Sequence, residues 1–171
     1  MRTDDDFERF YLGSRRRLVG LLYTVTGDLH EAEDITQEAF ARAAADWSRI
    51  SGYDAPQAWV RRVAFNLAAN RRRRLVRHAA ALLRLGRPED VEPRGVEDVA
   101  LVDALRTLPV RQRQAVVMHH VAGLEVAQIA AELGVPAGTV KSWLSRGRAA
   151  LAKALTDDND AALTEVRASN A

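Results

Sequence analysis

The sequence predicts an all-α fold of two small helical domains joined by a flexible linker, with a helix-turn-helix in the second domain. Apolar residues recur three and four positions apart through most of the 171 residues, and no stretch shows the period of two that strands require. The periodicity decays over 79–95, where prolines, glycines and a change in the sign of charge indicate a linker. Residues 124–148 read as two helices around a glycine turn. We therefore expect domains at 1–78 and 96–155, followed by a tail over 156–171.

Composition excludes several functional classes. The chain has no cysteine, so disulfide frameworks, thiolate nucleophiles and cysteine-ligated metal sites are ruled out. Asp4, Asp5 and Asp6 lie where a secretory signal carries basic residues, and the apolar runs are short and broken by charge. We therefore expect a cytoplasmic protein without membrane insertion.

Charge is segregated along the chain, although the formal net charge is only +2. Residues 57–88 contain nine arginines and no acidic residue, and residues 110–153 contain six basic and two acidic residues. The blocks 1–56 and 89–109 are net acidic. Two basic blocks separated by an acidic one predict two contacts with a polyanion, and acidic surfaces that face another partner.

Two helices open the first domain. The first spans Phe7 to about Val25 and ends at Gly27. Asp28 is placed to cap the second, which reaches about Asp46. Small residues line the inner face of this second helix, which predicts close helix packing.

A loop and a third helix complete the first domain. Residues 47–58 hold glycine, proline, serine and aspartate between aromatic residues, which predicts a loop of about a dozen residues. The third helix begins near Pro56, a favourable residue in a first helical turn, and continues into the run Arg71 to Arg74.

The second domain begins near Val96, where Val99, Val102, Leu105 and Leu108 mark a helix that ends before Pro109. A helix over 110–122 follows. A short helix and a long one then form the helix-turn-helix. Ala130 is small where these two helices cross, and Gly134 can adopt the positive φ of the turn.

The outward face of the last helix predicts DNA binding. A helical wheel points Val140, Leu144 and Gly147 inward. The remaining face is small, polar and cationic, and its candidate DNA contacts are Thr139, Lys141, Ser142, Ser145 and Arg146. Short side chains let a helix approach the major groove, where arginine can contact guanine or phosphate. A structural helical hairpin with a solvated face is the alternative interpretation.

The second helix carries an acidic face. Glu31, Asp34 and Glu38 lie within about 60° of one another on the wheel, with Gln37 beside them. No lysine or arginine occurs between Arg17 and Arg42, so these carboxylates are expected to lack cationic neighbours on the helix. Such a face matches an external basic partner. A merely solvated helix face is the alternative.

The third helix places one aromatic residue away from its apolar face. Phe65 lies on the far side of the wheel, and is therefore predicted to point away from the core. The polar residues on or near that side are Arg61, Arg62, Asn66, Asn70, Arg72 and Arg73. An aromatic ring among guanidinium groups and amides suits unpaired bases. Alternatively, Phe65 packs against the loop at Trp47 and Tyr53, and the arginines are solvated.

Three motifs resemble those of a known family. Residues 32–43 read AEDITQEAFARA, residues 59–74 read WVRRVAFNLAANRRRR, and residues 108–113 and 134–142 read LPVRQR and GVPAGTVKS. They are similar to the family patterns AEDLVQEAFLRA, WLxRIAxNLAxDxxRR, LPxRQR and LGxPxGTVKS. The chain thus resembles the extracytoplasmic-function (ECF) group of bacterial RNA polymerase sigma factors, in particular the short actinobacterial SigE-like type. It departs from the usual pattern at Asn70, where aspartate is common, at Trp143, where arginine is usual, and at Gly147, where alanine is usual. Further departures in the first helix of the helix-turn-helix are Glu125, Ala127 and Gln128.

The resemblance implies two domains that bind core RNA polymerase and promoter DNA. The acidic helix would dock on the coiled coil of the β′ clamp through Glu31, Asp34, Gln37 and Glu38, and the β flap and an anti-sigma factor are further implied partners. The melted -10 strand would contact Trp47, Tyr53, Arg61, Arg62, Phe65, Asn66, Asn70, Arg73 and Arg74. The -35 duplex would contact Thr139, Lys141, Ser142, Ser145, Arg146 and Arg148.

Other functions are less compatible with these residues. A stand-alone helix-turn-helix regulator is the main alternative, but such a protein has no need of the acidic helix. An enzyme or an RNA-binding protein lacks support, because the chain shows no nucleophile constellation, phosphate loop or RNA-reading fold. His119 and His120 have no ligand-spaced carboxylate nearby, so we expect no metal site, no cofactor and no catalysis by this chain.

Overall fold

Helices make up all the regular structure in the part of the chain that is described. The computed structural model describes the backbone of residues 2–84 and 99–169 and the side chains of residues 5–78 and 101–156. Its helices are α1 (Arg2–Thr26), α2 (Leu29–Ala45), α3 (Trp47–Ile50), α4 (Pro56–Arg84), α5 (Val99–Thr107), α6 (Val110–His120), α7 (Val126–Leu133) and α8 (Ala137–Ser169). We refer to α1–α4 as the N-terminal half and to α5–α8 as the C-terminal half. No helix in the described ranges is long and apolar enough to cross a membrane.

The predicted all-α class is confirmed, with differences at the element ends. The segment 47–58 is not one loop, because α3 occupies its start and α4 begins at Pro56. Helix α4 continues to Arg84 and so includes the first residues of the predicted linker, whose residues 85–95 lie outside the described part. Helix α8 runs on through most of the predicted tail. The Trp47 side chain explains the short α3, because it is buried and fixes this segment against the core.

Gly27 and Asp28 form the junction between α1 and α2. Gly27 has a φ of +71°, and its N–H donates to the Tyr23 carbonyl at 2.7 Å, which ends α1. The Asp28 carboxylate accepts the Glu31 N–H at 3.0 Å and so caps α2, as predicted. The Gly27 carbonyl also accepts a hydrogen bond from Arg106 of the C-terminal half at 3.3 Å. A side chain at Gly27 would collide with that guanidinium group.

The core of the N-terminal half depends on small residues and an aromatic cluster. Ala32, Ala39 and Ala43 on α2 are fully buried, so α1 and α2 pack closely. Phe10 stacks on Trp47 with ring centroids 4.8 Å apart, and Phe7, Tyr11 and Phe40 surround this pair. These rings cover the end of the helical bundle and orient α3.

Helix α6 is buried on every side. All six residues from Arg113 to Met118 are buried, and six residues exceed one helical turn of 3.6 residues. One side of α6 packs on α8, and the other side contacts the N-terminal half. The helix therefore lies between the two halves, which share one continuous hydrophobic core.

The helix-turn-helix forms as predicted. Gly134 has a φ of +67°, and the Val135 N–H donates to the Ala130 carbonyl at 3.0 Å. The inner residues Ile129, Val140 and Leu144 are buried. Gly147 also points inward, and a Cβ built there would lie 2.7 Å from Cγ2 of Val116. A side chain at this position would therefore force Val116 or the approach of α8 to α6 to shift.

Gly147→Ala is predicted to destabilise the protein, although alanine favours helices. The added methyl group must displace the stiff Val116 side chain, and overpacking of this kind costs about 1–3 kcal/mol. Gly20→Ala is the matched control, because Gly20 lies in α1 with nothing within 4 Å of its built Cβ. It should stabilise the fold by up to about 1 kcal/mol. Thermal unfolding followed by circular dichroism measures both effects, and a higher Tm for Gly147→Ala would contradict the packing described above.

Candidate polymerase and nucleic-acid interfaces

The acidic face of α2 is only partly open to solvent. The Asp34 side chain is 48% exposed, Gln37 is exposed, and Glu38 and Glu31 are half-buried. Burial raises the pKa of Glu31 above its ordinary value, and the nearby Arg71 opposes this rise. The exposed part of the face is therefore centred on Asp34 and Gln37.

The prediction that these carboxylates lack cationic neighbours is wrong. Arg42 pairs with Glu38 at 2.5 Å on the same helix. Arg71 reaches from α4 to Glu38 at 3.4 Å and to Asp34 at 3.9 Å. Glu38 thus holds α2 against α4, whereas Asp34 keeps only one long contact and remains available to an external partner.

The outer part of α4 presents arginines to a wide cleft. Arg62, Asn70, Arg73 and Arg74 are exposed, as a nucleic-acid contact requires. A cleft of about 920 Å³ lies between the C-terminal part of α4 and the start of α6, and none of the described residues that line it is acidic. Its lining residues include Asn70, Arg72, Arg73, Arg74, Arg77, Arg106 and Pro109. This is a strongly cationic surface that matches a phosphate backbone.

Two aromatic residues expected at the DNA surface lie in the core. Phe65 is completely buried, which corrects the prediction that its ring points away from the core. Trp47 is 7% exposed and belongs to the aromatic cluster of α3. The wheel misplaced Phe65 because it considered only the N-terminal half, whereas α4 has a packing partner on its other side as well. Tyr53, at 38% exposure, is accessible, with Arg49 over its ring at 6.0 Å.

The C-terminal half covers the same side of α4. Arg61 forms a two-pronged ion pair with Glu132 of α7, in which Nε donates to Oε2 at 2.8 Å and Nη2 donates to Oε1. The Phe65 carbonyl accepts a hydrogen bond from Gln114 Nε2 at 2.6 Å. Asn66 Oδ1 accepts from Arg111 at 3.4 Å. Three residues assigned to the -10 strand are therefore engaged within the protein.

The buried Arg113 joins the halves at the end of α1. Its guanidinium group donates to the carbonyls of Val25, Arg106 and Leu108. The pKa of Arg113 is lowered to about 10, chiefly by burial and to a smaller extent by the nearby Arg72 and Arg106. At neutral pH Arg113 is still charged, so its burial requires these carbonyl acceptors.

Glu132, Gln114 and Arg113 were not among the predicted functional residues. All three are buried polar residues in helices that otherwise bury apolar ones. The available signal was the run RQRQ immediately before the apolar residues 115–118, because polar residues adjoining a fully apolar turn indicate a second packing surface. Which surface they meet depends on the tertiary arrangement, and no local pattern encodes it.

The outward face of α8 has the predicted character. Lys141, Ser145, Arg146 and Arg148 are exposed. Arg146 Nη2 donates to Ser142 Oγ at 2.5 Å, which holds the guanidinium group along the helix surface. Thr139 and Ser142 are half-buried near the start of α8. All six predicted -35 residues are thus brought together on the first four turns of one helix.

The adjacent histidines have structural surroundings. His119 Nδ1 lies 2.8 Å from the Leu124 carbonyl, and the two imidazole rings meet edge to face at 4.7 Å. Partial burial lowers the pKa of His120, and His119 and Arg148 contribute to this. Within the described residues, no cluster of three histidine, cysteine, aspartate or glutamate side chains is suited to hold a metal ion.

Comparison with known proteins identifies the class of protein to which a chain with these acidic and basic surfaces belongs. Residues 10–78 match the family model for sigma-70 region 2, and residues 98–151 match the model for sigma-70 region 4. The RNA polymerase sigma-E factor of Streptomyces antibioticus is 36% identical over 157 residues, covering 88% of this chain and 87% of that protein. The ECF sigma factor SigW of Bacillus subtilis is 30% identical over 160 residues, covering 82% and 84%.

A solved structure agrees with this assignment. The sigma factor RpoE of Bartonella quintana, in complex with the anti-sigma factor NepR, superposes with a TM-score of 0.70 at 25% identity. The match covers 88% of this chain and 97% of RpoE. The chain belongs to the sigma-70 family of RNA polymerase sigma factors, in its ECF group. It is therefore a transcription initiation factor with a -10-reading and a -35-reading region, and not a stand-alone regulator.

Phe65→Ala is predicted to destabilise the fold strongly, because the ring is fully buried. Truncation of a buried phenylalanine costs about 3–5 kcal/mol, whereas loss of an exposed stacking residue leaves stability nearly unchanged. Tyr53→Ala serves as the matched control, since Tyr53 is an exposed aromatic residue of the same half. Denaturant unfolding of both variants gives the comparison. Equal stability of Phe65→Ala and the unmodified chain would show that the ring is exposed in solution.

Proposed function

We propose that this chain docks on core RNA polymerase through the α2 face and reads promoter DNA with two further helices. The single observation that carries the proposal is the separation of charge among helices: an exposed acidic face on α2, an arginine surface on α4 and a basic face on α8. The proposed domains are residues 1–78 and 96–155, joined by the linker 79–95 and followed by the tail 156–171. Bond formation and its metal ions belong to the core enzyme in this proposal, and the chain acts in the cytoplasm.

The docking residues are Asp34 and Gln37, supported at the edge by Glu31 and Glu38. Their proposed partner is the basic coiled coil of the polymerase β′ clamp. Exposed carboxylates contribute to such an interface chiefly through charge complementarity and association rate. The pairing of Glu38 with Arg71 supports a positioning role for Glu38, because it fixes the face relative to α4.

The -10 strand is proposed to bind along α4 and the segment before it. The exposed residues Tyr53, Arg62, Asn70, Arg73 and Arg74 form the part of this surface that is open in the structure. Arg61 and Asn66 are available only when the C-terminal half moves away. Phe65 and Trp47 support the surface from the core. An unpaired base stacked on a side chain gains about 1–3 kcal/mol, which offsets the unpairing of a few base pairs already held by the polymerase.

The -35 duplex is proposed to bind the outward face of α8. Thr139 and Ser142 lie near the helix start, where short side chains reach base edges, and Arg146 extends beyond them. Lys141, Ser145 and Arg148 supply further polar and phosphate contacts. The C-terminal half is also the proposed contact of the β flap, and an anti-sigma factor is a further proposed partner, since RpoE of Bartonella quintana binds NepR.

Run-off transcription with purified core polymerase tests the proposed function, and Asp34→Arg tests the docking face. The unmodified chain should direct initiation at a promoter with ECF-type elements. Asp34→Arg should weaken core binding by about tenfold or more, equivalent to ~1.4 kcal/mol, because it opposes like charges in the interface. Glu8→Arg, an equal change of charge on the exposed face of α1, should bind core normally. Co-purification titrations measure both, and equal binding by the two variants would place the docking face elsewhere.

Arg146→Ala is predicted to reduce -35 discrimination. Loss of one base-reading arginine costs about 1–3 kcal/mol on the correct sequence and little on a scrambled one. Lys153→Ala, an exposed basic residue farther along α8, is the control and should change neither. Holoenzyme binding to promoters with intact and scrambled -35 elements gives the ratio. An equal loss on both promoters would make Arg146 a phosphate contact.

A further inference from the structure

The exposed side-chain amide of Asn70 has its oxygen engaged and its nitrogen available. Arg73, about one turn farther along α4, donates from Nη2 to Asn70 Oδ1. Arginine has N–H donors and no acceptor, so the amide must turn its oxygen towards Arg73 and its NH2 group elsewhere. Within the described side chains, Asn70 Nδ2 has no hydrogen-bond partner, and both residues are exposed. Asn70 therefore offers a hydrogen-bond donor to a molecule that binds beside it.

The charged groups around Asn70 are donors as well. Asn70, Arg73, Arg74 and Arg77 recur three and four residues apart, so they share one face of α4, and all four line the cationic cleft. None of the described residues that line this cleft is acidic. A nucleotide base held on this face is therefore matched best when its edge carries hydrogen-bond acceptors.

The four bases differ in the group that they present at this edge. Thymine O4 and guanine O6 are keto oxygens that accept hydrogen bonds, whereas cytosine and adenine carry amino groups that donate them. In a single strand this Watson–Crick edge is open to protein side chains. Asparagine with its oxygen engaged favours a keto base, whereas an ionised aspartate, which only accepts, favours an amino base. This chain has asparagine at position 70, where aspartate is common in the motif that it resembles.

We propose that Asn70 is a specificity-determining residue that selects a keto base, thymine or guanine, at one position of the melted -10 strand. This inference rests on the proposed -10 role of α4. Asn70 contacts the base, and Arg73 is a positioning residue that acts through the Asn70 oxygen. Their contact joins residues three apart on one helix, so it does not depend on the rest of the fold. Asn66 differs in this respect, because the arginine on its oxygen, Arg111, belongs to α6.

Base analogues test this selection in holoenzyme made from the full-length chain and core polymerase. The probe is a fork-junction DNA whose -10 segment is single-stranded on the non-template side. At each position in turn, thymine is compared with 5-methylcytosine, and hypoxanthine with adenine. Each pair keeps the same ring and exchanges a keto oxygen for an amino group, with the accompanying change at the adjacent ring nitrogen. At one position the unmodified chain should bind the keto member about three- to tenfold more tightly, the effect of one hydrogen bond.

Three variants assign this preference to its residues. Asn70→Asp should reverse the preference at that position, because a carboxylate accepts from the amino group. Arg73→Ala should bring the ratio of the two affinities close to one, because the released amide can present either its oxygen or its NH2 group. Arg74→Ala is the matched control, since it removes a neighbouring exposed arginine that has no hydrogen bond to Asn70 among the described side chains. It should weaken binding of both members equally and keep their ratio. All three positions are exposed, so the variants should fold as the unmodified chain does.

The possible outcomes separate this inference from the proposed function. Equal affinity for the two members of every pair, in an unmodified holoenzyme that binds the probe, would overturn base selection and leave the proposed function standing. A keto preference unchanged in Asn70→Asp would overturn the role of Asn70, and one unchanged in Arg73→Ala would overturn the positioning role of Arg73. A holoenzyme that neither binds the probe nor directs run-off transcription would contradict the proposed function, and this inference with it.

Discussion

The arrangement of the two halves depends on buried side-chain donors of α6 whose hydrogen-bond acceptors include backbone carbonyls of the N-terminal half. Arg113 and Gln114 of α6 are buried, and the acceptors they reach include the Val25 and Phe65 carbonyls of the N-terminal half. Both carbonyls belong to helices, and that of Val25 lies in the last turn of α1, where backbone oxygens lack partners within the helix. A buried donor without an acceptor costs about 1–3 kcal/mol, so these contacts favour one relative orientation of the halves over others of similar apolar area. The polar residues of α6 therefore provide specificity at a contact between the halves that also includes part of the shared hydrophobic core.

The two sigma-70 regions, which meet at this contact between the halves, differ in which of their helices must be held in place. In the proposed function, region 2 binds polymerase and melted DNA with the neighbouring helices α2 and α4, and the Arg71–Glu38 pair fixes these helices so that the two surfaces keep their spacing. Region 4 needs only a rigid helix pair, which Gly134 and the Gly147–Val116 contact provide. In the structure the outward face of α8 is exposed, whereas Arg61, Phe65 and Asn66 of α4 are bonded to residues of the C-terminal half.

Local patterns predicted most of the fold and the exposed part of each interface. Period and capping residues placed α1, α2 and the helix-turn-helix, because Gly27, Asp28 and Gly134 act within a few residues of their own positions. These local patterns gave a wrong prediction for Phe65, which is buried, and for the α2 carboxylates, which have cationic neighbours. Gln114, which bonds to the Phe65 carbonyl, and Arg71, which pairs with Glu38, are distant in sequence, whereas Arg42 lies only four residues from Glu38 on the same helix and could have been found locally. A helical wheel divides a helix into an inner and an outer face, and α4 has partners on both. Residue types alone therefore identified the basic and acidic helices, but not which of their side chains bind other parts of the chain.

Gly27 combines two constraints at one position. Its positive φ ends α1, and its lack of a side chain leaves room for Arg106, which donates to its carbonyl from the other half. Any replacement strains the turn and displaces the Arg106 guanidinium group, which also lines the cationic cleft beside α4. In a library that varies every codon, few substitutions of this glycine are therefore expected to be recovered among folded proteins.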